Sequence, residues 1–274
     1  MFSYTPDMGS STDLAFTLQS ELALALQQKQ FRVYFQPKCR LDTGALVGAE
    51  ALVRWERPGH GLTLPGMFLG VAEKCGMLVE LDQWVMQTAL QQLGAWCGAG
   101  LWAAPMRLAV NVNVADIQRP DLPAHIAGML QNQHVGADLL ELEITEDALL
   151  EHTPDQLARL QALRDMGVSV AIDDFGTGYS SLSYLRLLPV SVLKIDQSFV
   201  ASLTSDDNDA VLVRTIIDMA HDLGHSLVAE GVETPMQRER LQLLGAEVGQ
   251  GYLFGYPVSV QEFEARWLRS ASAP

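Results

Sequence analysis

Two adjacent aspartates, Asp173 and Asp174, close an apolar run in the stretch VSVAIDDFGTGYSSL. Neighbouring carboxylates repel unless a positive charge lies between them, so this pair asks for a cation. Glu50, Asn111, Glu143 and Glu230 stand in comparable places along the chain. Every one of these side chains offers oxygen, and an oxygen-only donor set selects hard cations such as Mg2+ or Mn2+ over a zinc site built on Cys or His. The donors suffice for two ions sharing Asp173 or Asp174, an arrangement that activates a water and stabilises the leaving oxygen of a phosphodiester. Adjacent residues on a strand face opposite ways, so both aspartates can serve only if the backbone turns. Phe175-Gly176-Thr177-Gly178 is the expected turn.

Lys194, in VLKID, admits two chemistries. It can position a water or neutralise charge developing on a phosphate, or it can be the Schiff-base nucleophile of an aldolase-like enzyme. The surrounding acids favour the first. Gln36 and Arg54 are further candidates, with Arg54 suited to a ligand phosphate or to an ordinary salt bridge. Asp-Phe-Gly alone does not make a kinase, because neither a Gly-rich loop with a strand lysine nor a His-Arg-Asp loop accompanies it. The histidines are dispersed, and His221 with His225, at helical spacing but outside an H-E-x-x-H context, reads as a surface feature at a helix end.

The elements that must position these residues alternate. Apolar runs at 31–37, 44–55, 106–113, 139–145, 168–174, 190–196, 225–231 and 246–254 read as buried strands. Helical periodicity marks 80–96, 155–167, 208–224 and 236–245. Thr153-Pro154-Asp155-Gln156, Thr234-Pro235-Met236-Gln237 and Ser259 with Glu262 read as capping boxes. About eight strands with intervening helices suit a single (β/α)8 barrel. An open doubly wound sheet is the alternative, without its G-x-G-x-x-G fingerprint. Glu50, Asn111, Glu143, Asp173, Asp174, Lys194, Glu230 and Gln250 then fall at or near C-terminal strand ends, which in a parallel barrel open on one face. The expected organisation is a flexible segment over 1–13, one barrel domain over 14–270 and a tail over 271–274.

The chain has 274 residues, 48% of them apolar, with a formal charge of −15 and a pI near 4.7. That balance repels nucleic acid polymers, while a small phosphorylated ligand stays compatible if metal ions or a few cationic side chains reverse the local sign. Cys39, Cys75 and Cys97 show neither zinc-site spacing nor a disulfide scaffold, as a reducing cytoplasm would allow. No apolar run reaches the roughly 18 residues of a membrane span. The expectation is a cytoplasmic chain without membrane insertion, with room for an upstream sensory or receiver domain.

Glu50-Ala51-Leu52 within EALVRW, VNVN (110–113), EITE (143–146), DDFGTGYSSL (173–182), LKID (193–196), EGVE (230–233) and QGYLFGYP (250–257) together resemble the EAL-domain cyclic di-GMP phosphodiesterases. The resemblance runs in order over roughly 31–260. It implies a modified barrel with its first strand antiparallel and hydrolysis of cyclic di-GMP to linear pGpG, with two Mg2+ or Mn2+ ions per subunit. It implies metal ligation by Glu50, Asn111, Glu143, Asp173, Asp174 and Glu230, and catalysis through Glu50, Asp174, Lys194 and Glu230. Ligand binding falls to Gln36, Arg54, Asp196 and Gln250. Glu146, Phe175, Gly176, Thr177, Gly178 and Tyr179 would couple the site to a homodimer interface. Two departures stand out: Asn113 replaces a common small Ser, and ERPG (56–59) replaces the usual His-Pro. A catalytically silent cyclic di-GMP receptor is the alternative function, although such receptors usually lack part of the acidic set.

Overall fold

The computed structural model describes residues 18–150, 153–178, 185–203 and 207–269. Tyr179, the segment 1–13 and the tail 271–274 lie outside these described residues. The strands are β1 (Phe31–Arg40), β2 (Leu46–Arg57), β3 (Gly61–Thr63), β4 (Arg107–Asn111), β5 (Leu140–Thr145), β6 (Ser169–Phe175), β7 (Val192–Ile195), β8 (Ser226–Ala229) and β9 (Val248–Gln250). They form one sheet in which β1 pairs with both β9 and β2, so eight strands close into a barrel and β3 hangs on the edge of β2. Every pair from β2 through β4 to β9 is parallel, while β1 runs antiparallel to both of its neighbours. This is the expected modified (β/α)8 barrel. Its odd strand follows from the link between β1 and β2, residues 41–45. A connection that short makes a hairpin, whereas a parallel pair needs a crossover of about a dozen residues or more.

Strand alternation sorts the side chains into two shells. One parity faces the surrounding helices: Phe31, Val33 and Phe35 of β1 belong to the continuous outer core. Phe35 meets the Trp96 ring of helix Leu78–Gly98 at 4.8 Å and the Phe263 ring at 6.0 Å. Burying each such ring contributes about 1.5–3 kcal/mol, which fixes the helical ring around the barrel. The opposite parity faces the barrel interior, where Ala171, Val192 and Val228, with Val248 against them, fill one side of a lower layer with small apolar groups. Lys38, Glu141 and Ser169, all buried, fill the other.

Several local expectations change. Glu50 sits mid-strand, because β2 continues past the level where its neighbours end and turns back into β3, with Glu56 opposite Leu62 and Arg57 opposite Gly61. The ERPG departure is therefore the start of that hairpin. Thr234 makes the full capping box with Gln237. Thr153 makes half of one: its Oγ1 accepts the Gln156 N–H at 3.2 Å, but the Gln156 amide donates to the buried Ala148 carbonyl at 3.2 Å. A buried carbonyl without a donor costs more than an exposed cap, so the amide goes there. Ser259 likewise caps the Glu262 N–H, while the Glu262 carboxylate turns to Arg266. His221 lies in the last turn of helix Asp207–Asp222 and His225 lies beyond that helix, so the two share no helical face.

Candidate metal and phosphoryl site

The upper interior layer of the barrel holds the candidate residues Glu143, Asp173, Lys194 and Glu230. Alternation on β5 sends Glu143 inward two residues above Glu141, and the matching positions on β6, β7 and β8 carry Asp173, Lys194 and the residue after the strand, Glu230. Lys194 is fully buried. Its Nζ lies 2.8 Å from Glu143 Oε2, 2.9 Å from Asp173 Oδ1, 2.8 Å from Glu230 Oε1 and 3.9 Å from Glu50 Oε2. None of these is an aligned hydrogen bond: Lys194 Nζ, Glu143 Oε2 and Gln250 Oε1 are buried without one. The ammonium thus sits among carboxylates as a point charge, the behaviour of a cation in an oxygen cage. Burial pushes Lys194 down, but Glu143, Glu230, Glu50 and Asp173 outweigh it and hold the ammonium well above its ordinary pKa.

Asp173 and Asp174 reach the site by a device the sequence did not reveal. The pairing of β6 with β7 shifts register between Ile172 and Phe175, and Asp174 adopts φ 53°. The turn therefore occurs at Asp174 itself, one residue before the glycine stretch expected to supply it. Aspartate is one of the few residues that enter the left-handed region readily, and a bulge re-aims the side chain it carries. Ligand oxygens of Asp173, Asp174 and Glu230 come within 4.8 Å of one another. Burial raises the Asp174 carboxyl, reinforced by Asp173 and Asp196.

The remaining candidates surround this centre. Glu50 accepts from Asn111 Nδ2 at 2.8 Å on one oxygen and from Gln250 Nε2 at 2.6 Å on the other. Gln250 also donates to Gln36 Oε1 at 3.0 Å, and Gln36 donates to the Gly255 carbonyl at 3.1 Å. Gln36, Glu50, Glu230, Gln250 and Tyr252 line a cleft of about 220 Å3 beside the acids. Arg54, four residues beyond Glu50 on the same face of β2, donates to the Val53 carbonyl at 2.8 Å and lies 5.9 Å from the Tyr34 ring centroid. Asp196 is chiefly a helix cap, accepting the Ser198 N–H at 3.0 Å, and its charge reaches Asp174. Just beyond the aspartates, Glu146 accepts the Gly176 N–H at 2.9 Å. A Cβ on Gly178 would lie 2.6 Å from the other Glu146 oxygen, so a side chain there would force this carboxylate to shift.

Sequence reasoning missed two residues. Lys38 and Glu141 are buried directly beneath the acids, and Lys38 Nζ lies 2.7 Å from both Glu141 Oε1 and Glu143 Oε1. Asn113 also gains an explanation: like the Ser it replaces it can cap a helix, accepting the Asp116 N–H at 2.9 Å, and its amide additionally donates to Asp82 at 2.5 Å.

Six carboxylates (Glu50, Glu141, Glu143, Asp173, Asp174 and Glu230) face two ammonium groups, Lys38 and Lys194. With every acid ionised, four negative charges stay unbalanced. The protein's own response is to hold protons. Burial, reinforced by Glu143, pushes Glu50 up to about 7, and burial, reinforced by Asp173, pushes Glu230 up to about 8, Lys194 opposing both. Glu143 goes the other way, to about 2, because Lys194 and Lys38 outweigh its burial. Oxygen donors, unaligned buried polar atoms and surplus negative charge together fit hard divalent cations.

Groups raised above their ordinary value of 4.5 keep protons in the fold that the unfolded chain releases, so stability falls as pH climbs from about 4.5 through about 8. Each titrating carboxyl removes up to about 1.4 kcal/mol per pH unit in that window. Melting in chelator is expected to show Tm falling up to about pH 8 and levelling off above it. Added Mn2+ should raise Tm more at the alkaline end, where it no longer competes with protons. A chelated Tm that climbs across the window would contradict this electrostatic account.

Residues 19–257 match the EAL domain family, and the chain belongs to that family. It is 38% identical over 262 residues to the bifunctional diguanylate cyclase/cyclic di-GMP phosphodiesterase MucR of Pseudomonas aeruginosa, covering 96% of this chain and 38% of MucR. It is 40% identical over 260 residues to the cyclic di-GMP phosphodiesterase NbdA of the same organism, covering 94% of this chain and 33% of NbdA. The chain thus spans well under half the length of these curated relatives. Among solved structures, a MucR phosphodiesterase in complex with cyclic di-GMP superposes with a TM-score of 0.86 at 39% identity, covering 90% of this chain and 99% of that one. The EAL enzyme Bd1971, with cAMP and cyclic di-GMP bound, gives 0.87 at 31% identity, covering 94% and 70%. Among the described residues no helix is long and apolar enough to cross a membrane.

Proposed function

We propose that this chain is a metal-dependent phosphodiesterase that hydrolyses cyclic di-GMP to linear pGpG. The observation that carries the reading is the cluster of Asp173, Asp174 and Glu230 oxygens within 4.8 Å of one another, with Glu50, Asn111 and Glu143 adjoining it on the same barrel face. Two Mg2+ or Mn2+ ions would match the surplus negative charge. When bound, such ions lower the pKa of a coordinated water and shield charge on a phosphoryl group.

The chain's own groups do the rest. Lys194, held protonated, is placed to orient a water or to steady negative charge on the phosphate. An ammonium so firmly charged is no Schiff-base nucleophile, which needs a depressed pKa, so the aldolase reading loses its physical footing. Gln36 and Gln250 offer amides along the cleft, and Arg54 offers a guanidinium suited to a phosphate oxygen. Asn111 and Gln250 fix both oxygens of Glu50, which keeps that carboxylate aimed at the centre. Glu146 pins the backbone after the aspartates at Gly176, which supports a coupling of this loop to a second subunit.

The test is incubation of the purified protein with cyclic di-GMP and Mn2+ or Mg2+, with and without chelator, following products by chromatography. Metal-dependent pGpG is expected. Binding of cyclic di-GMP with no turnover under any of these metals would make the chain a receptor. Light scattering coupled to size-exclusion chromatography would report the dimer directly.

A further inference from the structure

The barrel floor contains a cation that the proposed reaction does not use. Lys38 comes from β1, the antiparallel strand, and lies in register with Gly48 of β2 and Gln250 of β9. Gly48 has no side chain, and a Cβ there would lie 2.4 Å from the Arg107 carbonyl, so the space beside Lys38 is free of a neighbouring side chain from β2. The lysine crosses the interior to β5, where it meets two acids spaced i, i+2 on the inward face, Glu141 and Glu143, each at 2.7 Å.

A counter-ion for Glu141 alone would need only one of these contacts, and Glu141 is already well served. Its second oxygen accepts from Ser169 Oγ at 3.1 Å. The contact to Glu143 is different in kind. Lys38 takes Oε1 while Lys194 faces Oε2 at 2.8 Å, so the two oxygens of a fully buried carboxylate are drawn in opposite directions. The plane of Glu143 is set from below as well as from above.

We infer that Lys38 is a positioning residue, which anchors one oxygen of Glu143 at the barrel floor so that the other is presented to the cation site. This inference rests on the phosphodiesterase reading for its consequence in turnover, but its direct readout is metal binding. Outer groups that orient a ligating side chain typically change metal affinity by about 10- to 100-fold when removed. Lys38 acts through Glu143 and touches neither metal nor substrate.

The decisive comparison is Glu141→Gln against Lys38→Met/Glu141→Gln. Relative to wild type the second variant deletes a positive and a negative charge together and keeps the net charge of the site; relative to Glu141→Gln it lacks one further positive charge, which by itself favours a cation, so weaker binding in that comparison reports the lost hold on Glu143. Mn2+ affinity of the ligand-free proteins would be measured by electron paramagnetic resonance of unbound Mn2+. Glu141→Gln should bind within about twofold of wild type, and the double variant at least about tenfold more weakly. At subsaturating Mn2+ its kcat should drop and recover as Mn2+ is raised, with KM for cyclic di-GMP little changed. A folded double variant that binds Mn2+ as tightly as Glu141→Gln would overturn the inference. Lys38→Gln/Glu141→Gln makes the same comparison where methionine does not pack. A wild type that binds Mn2+ but leaves cyclic di-GMP intact would sink the phosphodiesterase reading and leave the Lys38 comparison intact.

Discussion

Glu230→Gln is expected to abolish hydrolysis of cyclic di-GMP and, in chelator at pH 8, to melt at a higher temperature than wild type. Both halves come from one geometry. The Glu230 carboxylate shares its site with Asp173 and Asp174, and burial, reinforced by Asp173, Glu50 and Glu143 against the opposing Lys194, pushes its pKa up to about 8. Ionised Glu230 is therefore a cost to the metal-free fold, which a neutral amide of the same shape removes. In a domain of this size a gain of about 1 kcal/mol lifts Tm by roughly 2–4 °C. The same substitution withdraws an anionic donor from the proposed cation site and a candidate proton-handling group, for which a loss of at least about 100-fold in kcat is the expected scale. Paired melts and turnover assays decide it. A variant that loses activity and also stability would mean that Glu230 supports the fold through Lys194 more than it burdens it.

Lys194→Met should do the opposite to stability. The ammonium it deletes is the central positive charge among Glu143, Asp173 and Glu230, with Glu50 slightly farther away. Removing one partner of a buried ion pair costs about 3–5 kcal/mol, because the other charge is left uncompensated. The metal-free variant should be marginally folded or unfolded by circular dichroism, and Mn2+ should raise its Tm by more than it raises that of wild type. Turnover, assayed with Mn2+ saturating, should still be down by about 100- to 1,000-fold, since a divalent ion restores charge balance but not a proton donor at that position. Full activity in the Mn2+-loaded variant would show that Lys194 serves only as a structural counter-ion.

The acidic centre was legible in the sequence because its residues interrupt apolar strands at their ends, where a carboxylate without a cation is expensive. Lys38 and Glu141 escaped because they lie inside their strands and look like ordinary alternation. The signal was present in LELEIT, which sends two acids to one face of a strand whose other face is apolar, and such a pair demands a second cation. The turn at Asp174 was not legible. It depends on a register shift between β6 and β7, a property of two strands together rather than of either segment. The antiparallel β1 came from family resemblance, yet the short gap before β2 carried a physical reason for it, since no crossover helix fits there. Glu50 was misplaced at a strand end because nothing local announces that β2 overshoots its neighbours.

The direction of β1 also decides where the domain is held. Phe31, its first residue, pairs with Trp55, five positions beyond Glu50 along β2. In an all-parallel barrel the polypeptide would arrive at the floor, a full strand length from the chemistry. Here it arrives at the mouth, beside the hairpin of β2 and β3 and on the side that carries Asp174 and Glu230. The helix just before β1 seats Leu22 and Ala25 in the core, so any pull, twist or docking event exerted through the preceding chain reaches the rim of the barrel mouth by way of that helix.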